Sequence, residues 1–326
     1  MSESGVQPFA PVEIGSRAEP PFARLPDPAT HFRLRAQRFA VLEQTHPLSP
    51  YLRFMAGLAE AQHQTAVSDL PEPRTPSAAE RERAKQFAMP PIDRNGFAGD
   101  PALKATFDRL FDLGRQIDMP AEAAEALGKV TRMENAERET MARAAFENRI
   151  DPTRMAEQVF LAAGMQVHAA RIAARLDAKT LVAVGQGACP ACGGPPVASL
   201  VVGWQGAHGT RFVSCALCST LWHEVRVKCV CCGSTEGISY QEIDDGSAAA
   251  KDGDETPASP RKERAGRALV RAETCAKCNR YLKIMMQHQE GALDPVADDV
   301  ATLALDMLLR DGAFKRGAVN PFLFGY

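Results

Sequence analysis

RFVSCALCSTLW, residues 211–222, superposes on RAETCAKCNRYL, residues 271–282. Each stretch opens on an arginine. A small hydroxyl residue, Ser214 or Thr274, then precedes Cys-Ala-x-Cys, and a bulky pair closes the block. Upstream of each lies a second kind of knuckle, CPACGG from Cys189 and CVCCGS from Cys229, and both leave through glycine. Glycine suits such an exit because it reaches positive φ without a Cβ penalty. The order is knuckle type one, type two, then one and two again, which is an internal repeat.

Two residues between cysteines let one tight turn aim both sulfurs at one ion, and two such turns close a tetrahedral site of four thiolates. Four pairs within one segment supply two sites. Three pairings of the knuckles are open in principle, and the repeat favours the sequential one. Site one is then Cys189, Cys192, Cys215 and Cys218, and site two is Cys229, Cys232, Cys275 and Cys278. Between Cys192 and Cys215 lie 22 residues. Between Cys232 and Cys275 lie 42, of which 23 belong to the polar stretch Asp244–Gly266, leaving 19. Each unit is a hairpin-scale ribbon strung between two knuckles. In KCVCCG, residues 228–233, spacing alone admits Cys229 with Cys231 or with Cys232. Matching Gly233 to Gly193 selects Cys232 and leaves Cys231 spare, turned away from the ion. Iron and zinc both accept four thiolates, so spacing does not name the metal. Small ribbons bury little core, so the ions are expected to supply much of their folding energy.

All nine cysteines lie between Cys189 and Cys278, and the first 188 residues have none. The N-terminal MSESGVQPFAPVEIGS lacks the basic and apolar regions of a signal peptide. No apolar run is long enough to span a bilayer. A cytoplasmic location without membrane insertion is therefore expected, and there clustered cysteines read as metal ligands rather than disulfides. The 38 basic and 40 acidic residues leave a formal charge of −2, which argues against nucleic acid as a partner. The basic run Arg261, Lys262, Arg264, Arg267 and Arg271 reads as a solvated loop.

Outward from the cysteines the pattern changes. Residues 1–30 read as an irregular arm. From His31 to 184 the spacing is helical, with Ser49 as an N-cap before Pro50, a helix at SAAERERAKQFA, and a long helical stretch from Asn135 to about Thr180. His31, His46, His63 and His168 stand alone there and are read as surface or satisfied polar groups. PPVASLVVGW, TRFVSC, LWHEVRV, GISYQEI and ALVRAE read as strands, and Asp244–Gly266 as a disordered loop. His208 and His223, close in sequence to site one, read as outer or surface groups, because thiolates already complete the site. Asp294 and Pro295 start a C-terminal helix in which Val296, Val300, Leu303 and Met307 share a face, with Asp298, Asp299 and Asp306 pointing elsewhere. The tail NPFLFGY must pack on something. The fold class is thus α+β: a helical N-terminal domain (31–184), two rubredoxin-like or zinc-ribbon four-cysteine modules (185–226 and 227–290) and a C-terminal helix and tail (291–326). No nucleotide-binding glycine loop and no cysteine–histidine catalytic pair stands out, so no catalytic or organic-cofactor residue is assigned.

CPACGGPPVAS, RFVSCALCSTLWHEVRVKCVCCG, AETCAKCNRYLKI, ADDVATLALDMLL and NPFLFGY, in that order, closely resemble the formate dehydrogenase accessory protein FdhE family over residues 185–326. The third cysteine at Cys231 and the long insertion 244–266 depart from the family pattern. The resemblance implies a non-enzymatic cytoplasmic assembly factor that binds the immature formate dehydrogenase catalytic subunit before export. It also implies two rubredoxin-like sites holding iron, with zinc as competitor. The alternative is an electron-transfer protein cycling iron at the same thiolates. A homodimer stays open.

Overall fold

The computed structural model describes residues 19–243 and 268–323. The insertion Asp244–Gly266, most of the basic run and the start of the arm lie outside the described residues. Within the arm, Ala23–Arg24 forms strand β1, and helix α1 (Pro28–Leu42) starts before residue 31. Asp27 caps α1 by accepting from the Ala29 N–H at 3.1 Å, and Pro28 fits the first turn.

The helical region continues through α2 (Ser49–Ala66), α3 (Ala78–Gln86), α4 (Pro101–Gly114), α5 (Ala121–Arg132), α6 (Asn135–Phe146) and α7 (Met155–Ala173). Ser49 lies inside α2 and does not cap it; Leu48 holds that position, its N–H bonded to His46 Nδ1 at 3.1 Å. The stretch after Asn135 is two helices, because residues 147–154, with Pro152, turn the chain between them. α7 is buried on almost every side. Helices α2, α4, α5 and α6 all pack against it, which makes it the central rod of the domain. Gly164 lets the Phe107 ring of α4 lie on its backbone; a Cβ there would come within 2.5 Å of Phe107 Cδ1.

The cysteine region forms one sheet. Its strands are β2 (Pro196–Val201), β3 (Arg211–Cys215), β4 (Leu221–His223), β5 (Ile238–Gln241), β6 (Val270–Cys275) and β7 (Arg280–Met285). A short β8 (Lys315–Arg316) pairs with β7. The order is β1-β4-β3-β2-β7-β6-β5. Each ribbon is an antiparallel three-stranded unit. The two join where β2 runs parallel to β7, with Ser199 opposite Ile284. The first strand of unit one therefore meets the last strand of unit two, a tandem relation in which the ribbons share one sheet. β7 is not among the strands expected from sequence, because Tyr281 to Met285 are all buried, Lys283 included, and the run has no apolar–polar alternation. Conversely, the expected strand LWHEVRV stops at His223, and Val225 and Val227 are exposed.

The C-terminal segment is two short helices, α8 (Ala297–Ala301) and α9 (Leu303–Arg310). Asp294 does act near the start, accepting from Val296 and Ala297 N–H groups at 2.9 and 2.8 Å. Thr302 breaks the rod, its hydroxyl bonded back to the Asp298 carbonyl at 2.7 Å. The break rotates the helix phase, so Met307 is 55% exposed and does not share the face of Val296 and Val300. The aspartates, expected to point away, are buried. Asp298 pairs with Arg38 at 2.7 Å. Lys283 of β7 lies 3.1 Å from Asp299 and 2.5 Å from Asp306, and Arg316 pairs with both acids. Tyr281 donates to Asp306 at 2.7 Å and Asn320 to Asp299 at 2.7 Å. The tail does pack: Phe322 and Leu323 are buried, and Tyr51 donates to the Phe322 carbonyl at 2.6 Å.

This clasp ties α8, α9 and β8 to the sheet. Removing one partner of a buried pair strands the other charge. Lys283→Met is expected to cost about 3 kcal/mol in equilibrium urea unfolding; a loss under about 0.5 kcal/mol, the range of an ordinary surface change, would refute the clasp. Burial alone would raise the Asp299 carboxyl, but Arg316 and Lys283 outweigh it and hold the group below the usual range. A depressed folded value means that its stabilisation is complete above the unfolded pKa of about 4. It is lost as pH falls through the lower folded value. The urea midpoint should therefore stay insensitive to this group above pH ~5 and drop below pH ~4, less steeply in Asp299→Asn.

Candidate metal centres

Each knuckle is a backbone device. The residue after its second cysteine takes a left-handed conformation: Gly193 at φ +66°, Ser219 at +60°, Gly233 at +77° and Asn279 at +52°. Glycine was expected at two of these positions. Ser219 and Asn279 show that the second and fourth knuckles need the same turn without it; asparagine tolerates it readily, serine less so. The closing bonds repeat as well. Gly193 N–H donates to the Cys189 carbonyl at 2.7 Å, and Gly233 N–H to the Cys229 carbonyl at 2.8 Å. Cys189 N–H donates to Gly194 at 3.0 Å, and Cys229 N–H to Ser234 at 2.8 Å. Asn279 N–H donates to Cys275 at 2.9 Å.

The turns bring the cysteines together in two groups, Cys189, Cys192, Cys215, Cys218 and Cys229, Cys232, Cys275, Cys278, with all sulfurs of a group within 4.8 Å of one another. These are the sequential groups of the repeat. In the first, Cys189 and Cys218 sulfurs lie 3.6 Å apart, as do those of Cys192 and Cys215. In the second, Cys229 to Cys278 is 3.7 Å and Cys232 to Cys275 is 3.8 Å. A disulfide needs about 2.0 Å, so these are separate thiols. Four sulfurs at ~2.3 Å from a central ion stand ~3.8 Å apart at tetrahedral angles. Both groups therefore fit a tetrathiolate cage. Burial pushes the Cys189 thiol well above its ordinary range, so gathering thiolates there asks for a cation. Leu217 and Cys218 N–H groups both donate to Cys215 Sγ at 3.4 Å.

The groups differ in cover. All four cysteines of the first are at most 1% exposed. The helical domain seals them: Ile92 N–H donates to the Ala191 carbonyl at 3.0 Å, and Pro90 abuts Gly193. In the second group Cys232 is exposed and Cys278 partly so. Cys231 stands outside both groups, its sulfur 3.9 Å from the Gly317 carbonyl and its thiol pushed up to about 12, chiefly by burial.

A buried polar chain, not foreseen from sequence, anchors the second knuckle. Gln166 of α7 donates to the Ala216 carbonyl at 2.7 Å and accepts from Gln62 at 3.0 Å and Arg35 at 3.4 Å. Arg35 also reaches Asp294 at 3.3 Å and His31 Nε2 at 2.7 Å. Burial, helped by Arg35, pushes the His31 pKa down to about 3, so the ring is neutral and accepts. The available signal was Gln166 in the middle of α7, flanked by Met165 and Val167, although Glu157, Gln158, His168 and Arg171 on the same helix are buried polar groups too. His46 bonds the Ala301 carbonyl at 2.7 Å, and His168, buried beside Asp100 at 3.5 Å, has its pKa pushed down to about 4 by burial. His208 is exposed, 5.9 Å from His288, and His223 packs on Phe212; neither belongs to a cysteine group.

Fold and site together define a class: a helical domain joined to a tandem zinc-ribbon sheet with two four-cysteine groups. Three family models match in succession: FdhE, N-terminal, over residues 20–186; FdhE, central domain, over 188–226; and FdhE, C-terminal domain, over 227–323. The chain belongs to the FdhE family, as the five sequence blocks indicated. It is 43% identical over 326 residues, the full length of both chains, to a protein FdhE homolog of Rhizobium meliloti (strain 1021). It is 32% identical to one of Edwardsiella ictaluri (strain 93-146), covering 92% of this chain and 90% of the relative. The crystal structure of the FdhE protein from Pseudomonas aeruginosa superposes with a TM-score of 0.78 at 29% identity, covering 94% of this chain and 99% of that one.

Elemental analysis of the anaerobically purified chain tests the register. Cys231→Ala should keep two ions per chain, and Cys232→Ala should keep one. The reverse pattern would overturn the assignment of the second group.

Proposed function

We propose that this chain is a cytoplasmic assembly factor for formate dehydrogenase, which binds the immature catalytic subunit before export and catalyses no reaction itself. The observation that carries this reading is the match to FdhE models from residue 20 to residue 323. Two features are consistent with it. No helix among the described residues is long and apolar enough to cross a membrane. Each cysteine group offers four sulfurs, enough to fill a tetrahedral site, which is the donor set of structural rather than catalytic zinc.

In this reading Cys189, Cys192, Cys215 and Cys218 hold one ion, and Cys229, Cys232, Cys275 and Cys278 a second, each iron or zinc. The ions fix the ribbons, and the surfaces around them meet the partner. The units are the helical domain 31–184, the ribbons 185–226 and 227–290, and the C-terminal segment 291–326. Electron transfer is the second reading, favoured by one observation: Cys232 brings an edge of the second group to solvent. Iron-loaded protein that bleaches and recovers reversibly on reduction and reoxidation would support it.

The assembly reading is tested by affinity capture with the formate dehydrogenase catalytic subunit, beside enzyme activity in a deletion strain. Capture and loss of activity are expected. No association together with normal activity would refute the reading.

A further inference from the structure

Helix α3 buries almost nothing: of its nine residues only Ala84 is buried. Both of its ends are nevertheless secured by local devices. At the start, Glu80 N–H donates to Ser77 Oγ at 3.3 Å and Ser77 N–H to Glu80 Oε2 at 2.7 Å, a capping box. At the end, Met89 N–H donates to the Ala84 carbonyl at 2.8 Å and Ala88 N–H to the Lys85 carbonyl at 3.3 Å. Those are the paired bonds of a Schellman motif. Glycine usually takes the left-handed place in that motif, and the residue after it frequently packs back on the helix. Here Ala88 takes that place at φ +48°, a conformation its Cβ disfavours. Met89 stays 58% exposed, and Phe87 60%. Just beyond, Pro90 abuts Gly193 and Ile92 N–H bonds the Ala191 carbonyl. Two large apolar side chains are thus held in solvent by fixed backbone on either side.

A hollow of about 220 Å³ lies beside this tip, with Met89, Pro90, Arg94, Arg143 and Gly193 in its lining. The surroundings are cationic. Arg81, Arg83, Lys85, Arg94 and Arg143 make no ion pair among the described residues; Arg81 donates to the Pro76 carbonyl and Arg143 to Asn95 Oδ1. On the acidic side, Glu82 and Asp93 lack a cationic partner, whereas Arg74 holds Glu80 and Arg149 holds Glu147 of the hollow. Over residues 80–95 and the hollow, unpaired cations therefore outnumber unpaired carboxylates five to two.

We propose that the tip of α3 docks a partner protein whose surface offers an apolar recess rimmed by carboxylates. Phe87 and Met89 enter the recess, and Arg94 and Arg143 meet the acidic rim. Exposed aromatic and arginine side chains of this kind commonly anchor interfaces. A second copy of this chain does not fit, because a two-fold contact sets a patch against itself and these cations would face each other. A lipid surface does not fit either, since it has no ridge to fill the hollow. Pro90 seats the tip on Gly193, so the first cysteine group positions the docking point. Naming the immature formate dehydrogenase catalytic subunit as the partner rests on the assembly reading.

The test measures binding of the immature catalytic subunit to the metal-loaded full chain. Phe87→Ser with Met89→Ser should weaken it at least about tenfold, with metal content and urea midpoint unchanged. Arg94→Glu with Arg143→Glu should weaken it too, and the gap from wild type should narrow in high salt. Met307→Ser with Leu308→Ser removes an equally exposed apolar pair on α9 and should leave binding unchanged. Wild-type binding by the Phe87–Met89 variant, or equal loss in the α9 variant, overturns the docking point while the assembly reading stands. No binding by the wild-type chain overturns that reading and this proposal with it. If the Phe87–Met89 change alters only the oligomeric state, or only binding to phosphatidylglycerol vesicles, the tip serves a second copy or a membrane, and the proposal is overturned.

Discussion

Four sulfurs within 4.8 Å of one another, twice in one sheet, are the constraint around which the rest of the molecule is arranged. Such a cluster of thiolates repels itself, and a central cation turns that repulsion into cohesion. The geometry demands tight turns that point two side chains inward, and the four left-handed exits supply them. Each turn then launches or ends a strand, so the knuckles set the register of both ribbons. As proposed, the ions are what allow two units with little core of their own to fold.

The ribbons depend on their surroundings to different degrees. The first is built into the core: α7 holds its second knuckle through Gln166, and residues 90–92 cover its first. The second ribbon leans on the first through the β2–β7 pairing and on the C-terminal segment through the Lys283–Arg316 clasp. Its cysteines reach the surface at Cys232. One group is therefore buried architecture and the other faces whatever approaches. Arg35 links these parts, touching α1, α7 and the residue that starts α8.

The cysteine groups were legible because their spacing is dictated locally: a Cys-x-x-Cys turn and its exit glycine need no distant partner to be recognised. The duplication fixed their pairing. Helix α1 and the strands at Phe212 and Val270 were legible through short-range periodicity. The fusion into one sheet was not, since the parallel contact of Ser199 with Ile284 joins residues far apart in sequence. The C-terminal aspartates misled for a related reason. Asp299 and Asp306 look like the wet side of an amphipathic helix until Lys283 and Arg316 are seen to be buried beside them.

X-ray absorption at the metal edge of the anaerobically purified full chain addresses the central claim directly. Two tetrathiolate centres predict four sulfur neighbours per ion at about 2.3 Å and no nitrogen or oxygen shell. A mixed sulfur and nitrogen shell, or an average of fewer than four sulfurs at full loading, would contradict it.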